Sequence, residues 1–205
     1  MARPPSVAGV ILAGGQARRM GGGDKGRTQV AGRSILDWQL EILRPQVAAL
    51  AINANGPAER FAETGLPVIA DDPGAEGPLA GILTALEWAA AEGFSRVLTV
   101  PCDTPFVPPD LVLRLGRHTA AVAASQGNIH PVIGLWPVVL ANDLRRLVID
   151  AGERKARVWV QRCGAVSVEW PGEPFTNVNC AQDRLEAERL CCQRGNRSAA
   201  SVTGR

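Results

Sequence analysis

Between Gly9 and Ser34 the chain reads GVILAGGQARRMGGGDKGRTQVAGRS, with eight glycines, four arginines and one lysine directly after a short apolar run. Glycines let backbone N–H groups approach an anion closely, and the cations neutralise it, so these residues in this order suit a bound phosphate. Spacing excludes two common phosphate loops. A P-loop requires G-x-x-x-x-G-K-[ST], whereas Lys25 follows Asp24 and precedes Gly26. The dinucleotide fingerprint G-x-G-x-x-G also fails, because Gly14-Gly15-Gln16-Ala17-Arg18-Arg19 lacks its later glycines. What remains is a long loop between a strand and its helix. In an open α/β sheet such a loop lies beyond the carboxyl ends of the strands, where ligands bind.

The charge is distributed to match. Residues 14–33 carry Arg18, Arg19, Lys25, Arg27 and Arg33 against Asp24 alone, while the whole chain has a net charge of only +2. Cations gathered on one loop fit a small anionic molecule better than a long polyanion, so neither nucleic acid nor membrane is expected as a partner. No stretch approaches the roughly 20 apolar residues of a membrane span, and Val7–Ala13 is too short for a signal segment. The cysteines (Cys102, Cys163, Cys180, Cys191 and Cys192) are odd in number and lack C-x-x-C spacing, which predicts reduced thiols and a cytoplasmic setting.

The elements that must carry the loop follow from pattern. Val7–Ala13 predicts a buried strand, and Ser34 a cap for a helix with Ile35, Leu36, Leu40 and Leu43 on one face, stopping before Pro45. Strands are expected at Val47–Asn53, Leu66–Ala70, Arg96–Val100, Thr119–Ser125, His130–Trp136 and Val166–Trp170. Helices are expected at Ala58–Glu63, Leu79–Ala91, Asp110–Gly116, Ala141–Ile149, Arg157–Gln161 and Ala181–Cys192. Strand and helix alternating in this way predict an α/β fold with a mainly parallel sheet. At 205 residues and 46% hydrophobic, the chain is long enough for one domain with a sizeable core. The expected division is one domain over 1–193, with a nucleotide-binding half at 7–117 and a substrate-side half at 118–193. The polar tail 194–205 is expected to be disordered.

LAGGQARRMGGGDKG (Leu12–Gly26) resembles the signature of nucleotidyltransferases that activate small phosphorylated compounds. DDPGAEGPLAGILTAL (Asp71–Leu86) and PCDTPFVPPDL (Pro101–Leu111) match that superfamily again, in order. Together with FTNVN (Phe175–Asn179), the set resembles the molybdenum cofactor guanylyltransferases, over roughly residues 7–190. The resemblance implies a Rossmann-like three-layer nucleotidyltransferase fold. It also implies transfer of GMP from GTP, the co-substrate, to the terminal phosphate of molybdopterin, with pyrophosphate released and Mg2+ required. It leaves open transient contact with molybdenum-inserting or acceptor enzymes.

Carried over residue by residue, the resemblance assigns GTP binding to Leu12, Ala13, Gly14, Gly15, Lys25, Asn53, Asp71 and Asp103. Lys25 is the first choice for phosphate charge compensation and Arg19 the second; Arg18 reads equally well as solvated. Asp103, after an apolar strand, is the expected magnesium ligand, since magnesium takes oxygen donors and commonly one or two carboxylates. Asp71 could accept from the guanine N1–H and 2-amino groups, with Asp72 as a rival that better suits a turn cap. Asn177 and Asn179, two apart on one face of an extended segment, match positions near the metal and the pterin. Arg154, Lys155 and Arg157 fit either a substrate phosphate or a solvated helix face. Rival activities are a molybdopterin cytidylyltransferase using CTP, a sugar-phosphate nucleotidyltransferase, and a non-catalytic nucleotide-binding or cofactor-handling module.

Overall fold

The apolar run that precedes the glycine loop forms β1 (Val7–Leu12) in a computed structural model that describes residues 7–14, 25–178, 180, 182–185 and 187–189. Past the loop come a 3-10 turn (Lys25–Arg27), a small ribbon of β2 (Gln29–Val30) and β3 (Arg33–Ser34), and α1 (Ile35–Leu43). The chain continues through β4 (Ala49–Asn53), β5 (Val68–Ile69), α2 (Pro78–Ala91), β6 (Arg96–Pro101) and α3 (Leu111–Leu115). It then forms β7 (Ala121–Ser125), β8 (Asn128–Pro137), α4 (Ala141–Arg145), α5 (Ala156–Arg162) and β9 (Val166–Trp170).

Seven strands join in the order β5-β4-β1-β6-β8-β7-β9. Only β8 runs against the others, so the expected mainly parallel α/β sheet is what the chain forms. Alternate residues of β1 serve opposite layers. Ile11 packs with Leu36, Leu40 and Leu43 of α1 and Leu111 and Leu115 of α3. Val10 packs with Leu79, Ile82, Leu83 and Leu86 of α2, Leu144 of α4 and Trp159 of α5.

Local chemistry fixes the helices that bear on the cavity. Ser34 caps α1 with a reciprocal box: its Oγ accepts from Asp37 N at 3.1 Å, and Asp37 Oδ2 accepts from Ser34 N at 3.3 Å. At the start of α2, Gly77 takes φ 77° and ψ −169°, a conformation open in practice to glycine alone, and Pro78 follows at the first helical position. The chain leaves β1 for β4 and β5 on one side and later crosses to β6 on the other. The crevice between these strand ends is where such sheets bind ligands.

Two features depart from the pattern reading. The far end of the glycine loop is a hairpin, turned by Ala31 (φ 50°) and Gly32 (φ 77°), whose two-residue strands are too short to show a period. The helix through Ala141 continues past Arg145 as a π-helical turn over Arg146–Asp150. Residues 182–185 and 187–189 are helical, in line with the expected final helix, while the tail 194–205 lies outside the described residues.

Candidate active site

A cavity of about 710 Å³ opens at the strand ends, within the usual size for a small-molecule site. Its floor is the end of β1 (Leu12, Gly14), the end of β4 (Asn53) and the segment Pro101–Asp103 after β6. One wall is formed by Asn55, Asp71 and the stretch from Ala75 to Gly81; the other by His130–Ile133 and Asn177. Six residues singled out from sequence therefore meet here: Leu12, Gly14, Asn53, Asp71, Asp103 and Asn177. Ala13 is next to them, its N–H donating to Asn53 O at 2.7 Å. Gly15, Arg18, Arg19 and Asn179 lie outside the described residues, as does the side chain of Lys25.

Asn53 and Asp71 are built as a pair. Asn53, at 1% exposure, donates from Nδ2 to Asp71 Oδ1 (2.7 Å) and to Ile69 O (3.2 Å). Thr84 Oγ1 donates to the same Oδ1 at 3.0 Å, and Asn55 Nδ2 to Oδ2 at 2.9 Å. An ionised carboxylate has about four acceptor positions, so three are already used. The open position is on Oδ2, so a bidentate grip on a base would need Asn53 or Thr84 to release Oδ1. The rival Asp72 is committed elsewhere. Its Oδ1 accepts from Gly74 N at 2.9 Å, and its Oδ2 from Arg145 at 3.1 Å. These two donors, the Gly74 amide first, hold its carboxyl below the usual range.

The helix beside this pair fits only because it lacks a side chain at one point. A Cβ on Gly81 would stand 2.7 Å from Asn53 Oδ1 and 3.2 Å from Leu12 Cδ2. The small residues of Gly77–Gly81 thus let the start of α2 settle directly on the Asn53–Asp71 pair.

Asp103 sits in a four-residue turn from Pro101 to Thr104, tied to the late motif by two bonds. Val178 N donates to Asp103 O at 2.7 Å, and Thr104 Oγ1 to Asn177 Oδ1 at 2.8 Å. The PCDTPF turn and Asn177–Val178 of the late motif, far apart in sequence, are one structural unit at the cavity. Cys102 is buried beside Asp103.

The opposite wall exists because β8 breaks register. Ala121 and Val122 face Leu135 and Gly134, but Ala123 faces His130, leaving Pro131, Val132 and Ile133 without partners on β7. Proline has no N–H to give an interior strand, so the strand bulges there. Buried Thr99 of β6 pins the bulge, donating from Oγ1 to Val132 O at 2.7 Å while accepting from Trp136 Nε1 at 2.9 Å. His130 is held by Ser125, with Nε2 and Oγ 2.8 Å apart, and by the Phe175 ring at 4.9 Å. Burial pushes its pKa below the ordinary 6.5, opposed by the charge of Glu169.

Asn55, Thr84, Thr99 and His130 were not picked out from sequence. The only available signal was at the bulge, where Pro131 interrupts a strand pattern. Of the three basic residues left open, Arg154 pairs with Glu76 at 2.9 Å at the cavity rim, with both side chains mostly exposed. Arg157 is exposed on α5.

Comparison with known proteins agrees with this geometry. The family model for the MobA-like NTP transferase domain matches residues 9–166. A molybdenum cofactor guanylyltransferase from Bradyrhizobium sp. (strain ORS 278) is 47% identical over 197 residues, spanning 90% of this chain and 93% of that one. Another, from Rhodopseudomonas palustris (strain BisB5), is 48% identical over 202 residues, spanning 93% and 96%. Among solved structures, molybdopterin-guanine dinucleotide biosynthesis protein A from Archaeoglobus fulgidus matches with a TM-score of 0.68 at 25% identity, over 91% of this chain and 99% of that one. The chain belongs to the MobA-like NTP transferase family, among the molybdenum cofactor guanylyltransferases.

Proposed function

We propose that this chain transfers GMP from GTP to the terminal phosphate of molybdenum-bound molybdopterin, forming molybdopterin guanine dinucleotide and pyrophosphate. The observation that carries the reading is the single cavity that holds Asn53, Asp71, Asp103 and Asn177 together at the switch point of the sheet. The names of the relatives favour guanine over cytosine.

In the reaction, an acceptor phosphate oxygen attacks the α-phosphorus of GTP. The new P–O bond forms as the bond to the β-phosphate bridging oxygen breaks, and pyrophosphate leaves with that electron pair. The acceptor is a phosphate monoester whose second pKa is about 6, so near neutral pH it is already mostly ionised and needs no strong general base. The protein's task is to bring two anions together and to stabilise the charge that develops between them. Asn53, Asp71 and the Gly77–Gly81 corner hold the base and ribose. The backbone of Leu12, Ala13, Gly14 and Gly15 follows the phosphates, and Lys25 and Arg19 neutralise them. Asn177 and Asn179 orient the acceptor.

The donor set suits magnesium. Asp103 and Asn177 offer oxygen ligands at the cavity, and no group of three or more His, Cys, Asp or Glu able to hold a metal occurs among the described residues. Magnesium commonly uses one or two carboxylates and completes its shell with substrate phosphates. When bound, it would supply Lewis-acid stabilisation and a template for the phosphates. Asp103 would hold it.

The test is direct competition. With molybdenum-bound molybdopterin and equal GTP and CTP, the expected product is the guanine dinucleotide with one pyrophosphate released per transfer. Faster turnover of CTP would overturn the assignment in favour of the cytidylyl reaction. Binding of GTP without pyrophosphate release would favour a non-catalytic module.

A further inference from the structure

The buried face of α1 consists of Ile35, Leu36, Leu40 and Leu43, and of one polar residue, Gln39, which has no exposed surface. Gln39 Nε2 donates to Pro101 O at 2.7 Å and to Thr104 O at 2.9 Å. These are the first and last carbonyls of the turn that carries Asp103. The turn's own closing bond, from Thr104 N to Pro101 O, is long at 3.4 Å. Because both partners are acceptors, the amide orientation is fixed with its nitrogen toward the turn. Its Oε1 is buried and meets no donor among the described residues. A buried oxygen left in that state costs stability, so Gln39 is a poor way to fill core space. The cost makes sense as support for the turn.

Helix α1 is also where the chain arrives from the glycine loop. Ile35 N donates to Thr28 O at 3.0 Å, Trp38 Nε1 donates to Val30 O at 3.0 Å, and Trp38 packs edge-on to Phe106 with centroids 5.6 Å apart. One short helix thus touches the exit of the cation-rich loop and the turn bearing the carboxylate. We infer that Gln39 is a positioning residue for nucleotidyl transfer: its amide fixes the Asp103 turn relative to the glycine loop, and so fixes where the carboxylate meets a divalent cation on the triphosphate. This inference rests on the reading of Asp103 as the metal-holding residue.

Two variants of the full chain test it. Gln39→Met keeps the length and removes the donor; Gln39→Glu keeps the shape and turns an acceptor toward two carbonyls. The measurements are thermal melting, metal-free GTP affinity, Mn2+ affinity by electron paramagnetic resonance with a non-hydrolysable GTP analogue, and kcat and KM across Mg2+ concentration. For Gln39→Met, kcat should fall about 10- to 100-fold, the scale for misplacing a reacting group by an ångström. Mn2+ affinity should fall about tenfold, about 1.4 kcal/mol, while KM for GTP and metal-free GTP affinity stay near the wild-type values. High Mg2+ should restore part of the rate, and Gln39→Glu should be the more impaired. Unchanged kcat and Mn2+ affinity would overturn the inference. So would a loss of metal-free GTP affinity with Mn2+ binding intact, or failure of both variants to fold, since each assigns Gln39 to packing alone. Asp103→Asn separates the two levels. If it keeps Mn2+ affinity and rate, the metal reading fails; if it loses both and Gln39→Met does not, only the role of Gln39 fails.

Discussion

On one wall of the cavity, Asn53 and Asp71 stand just where β4 and β5 end, in a register that runs without a break from Ala8 opposite Ala49 to Leu12 opposite Asn53. On the other wall, His130 to Ile133 reach the cavity from a strand that loses register after Val122. The first wall is held by regular pairing and by a carboxylate that takes three donors. The second is held by two hydroxyls, of Thr99 at Val132 and of Ser125 at His130, and by ring contacts. A purine base is rigid and planar, and a stiff, pre-satisfied surface costs little to reorganise around it. A wall that loses register and hangs on a few side-chain contacts is the natural place for a second, bulkier substrate to be accommodated. A division of labour between the two walls follows, and single substitutions can break it.

The largest effect is expected on the floor that both walls share. Asp103→Ala should lower single-turnover GMP transfer by about a thousandfold or more, the upper range for losing one charge-organising group. Asp103 is partly exposed, so the melting temperature should stay within a few degrees. Near-normal transfer would remove Asp103 from the chemistry and leave the two walls without a common centre.

Next comes Gly81→Ala, which strikes the first wall alone. The new methyl would stand 2.7 Å from Asn53 Oδ1, and Asn53 is held by its bonds to Ile69 and Asp71 and cannot swing away. Overpacking of this kind costs about 1–3 kcal/mol. KM for GTP should rise about tenfold, equivalent to about 1.4 kcal/mol, with KM for the acceptor unchanged. Steady-state kinetics with each substrate varied in turn checks this. A rise in acceptor KM instead would reverse the assignment of the walls.

Thr99→Val makes the converse cut. It removes the hydroxyl that donates to Val132 O and accepts from Trp136 Nε1, at nearly constant volume. Two buried groups lose their partner, which should cost about 1–3 kcal/mol in denaturant unfolding. With the bulge unpinned, KM for the acceptor should rise several-fold while KM for GTP holds. Equal changes in both constants would mean that the bulge serves the sheet as a whole and not one substrate.

The same contrast explains what pattern reading could reach. Asn53, Asp71 and Asp103 each follow an apolar run closed by a turn residue, so regular strands carry them to the crevice by topology alone. Gln39 and Thr99 are single polar residues inside apolar stripes. Their partners are backbone carbonyls more than 30 residues away, at Thr104 and Val132, and no local period reports such a pairing. The bulge leaves one local sign, Pro131 inside the expected strand His130–Trp136, but that strand reading runs straight through it, and the hydroxyl that fixes the bulge lies on another strand. Asn55 and Thr84 escaped for a similar reason, since their role is to fill the carboxylate that the strand end presents.

The smallest expected effect is on pH dependence, and it belongs to the second wall. Burial lowers the pKa of His130 below 6.5, against the pull of Glu169, so the folded protein holds that proton less readily than the unfolded chain does. Below 6.5 and down through the folded value, the unfolded state binds more protons, and stability rises with pH across that window. The contribution is fully present above 6.5 and is lost as the pH falls through the folded pKa. His130→Asn removes this titration, while the surface carboxylates titrate alike in both proteins. Their difference therefore isolates one ring. Urea unfolding at a series of pH values between about 7 and about 5 should show wild type losing stability relative to the variant as the pH falls. A constant offset, from the lost contact with Ser125 Oγ, leaves the slope untouched. Parallel pH profiles would mean that His130 keeps its ordinary proton affinity, and the bulge wall would then be wetter and less ordered by its ring contacts than its geometry implies.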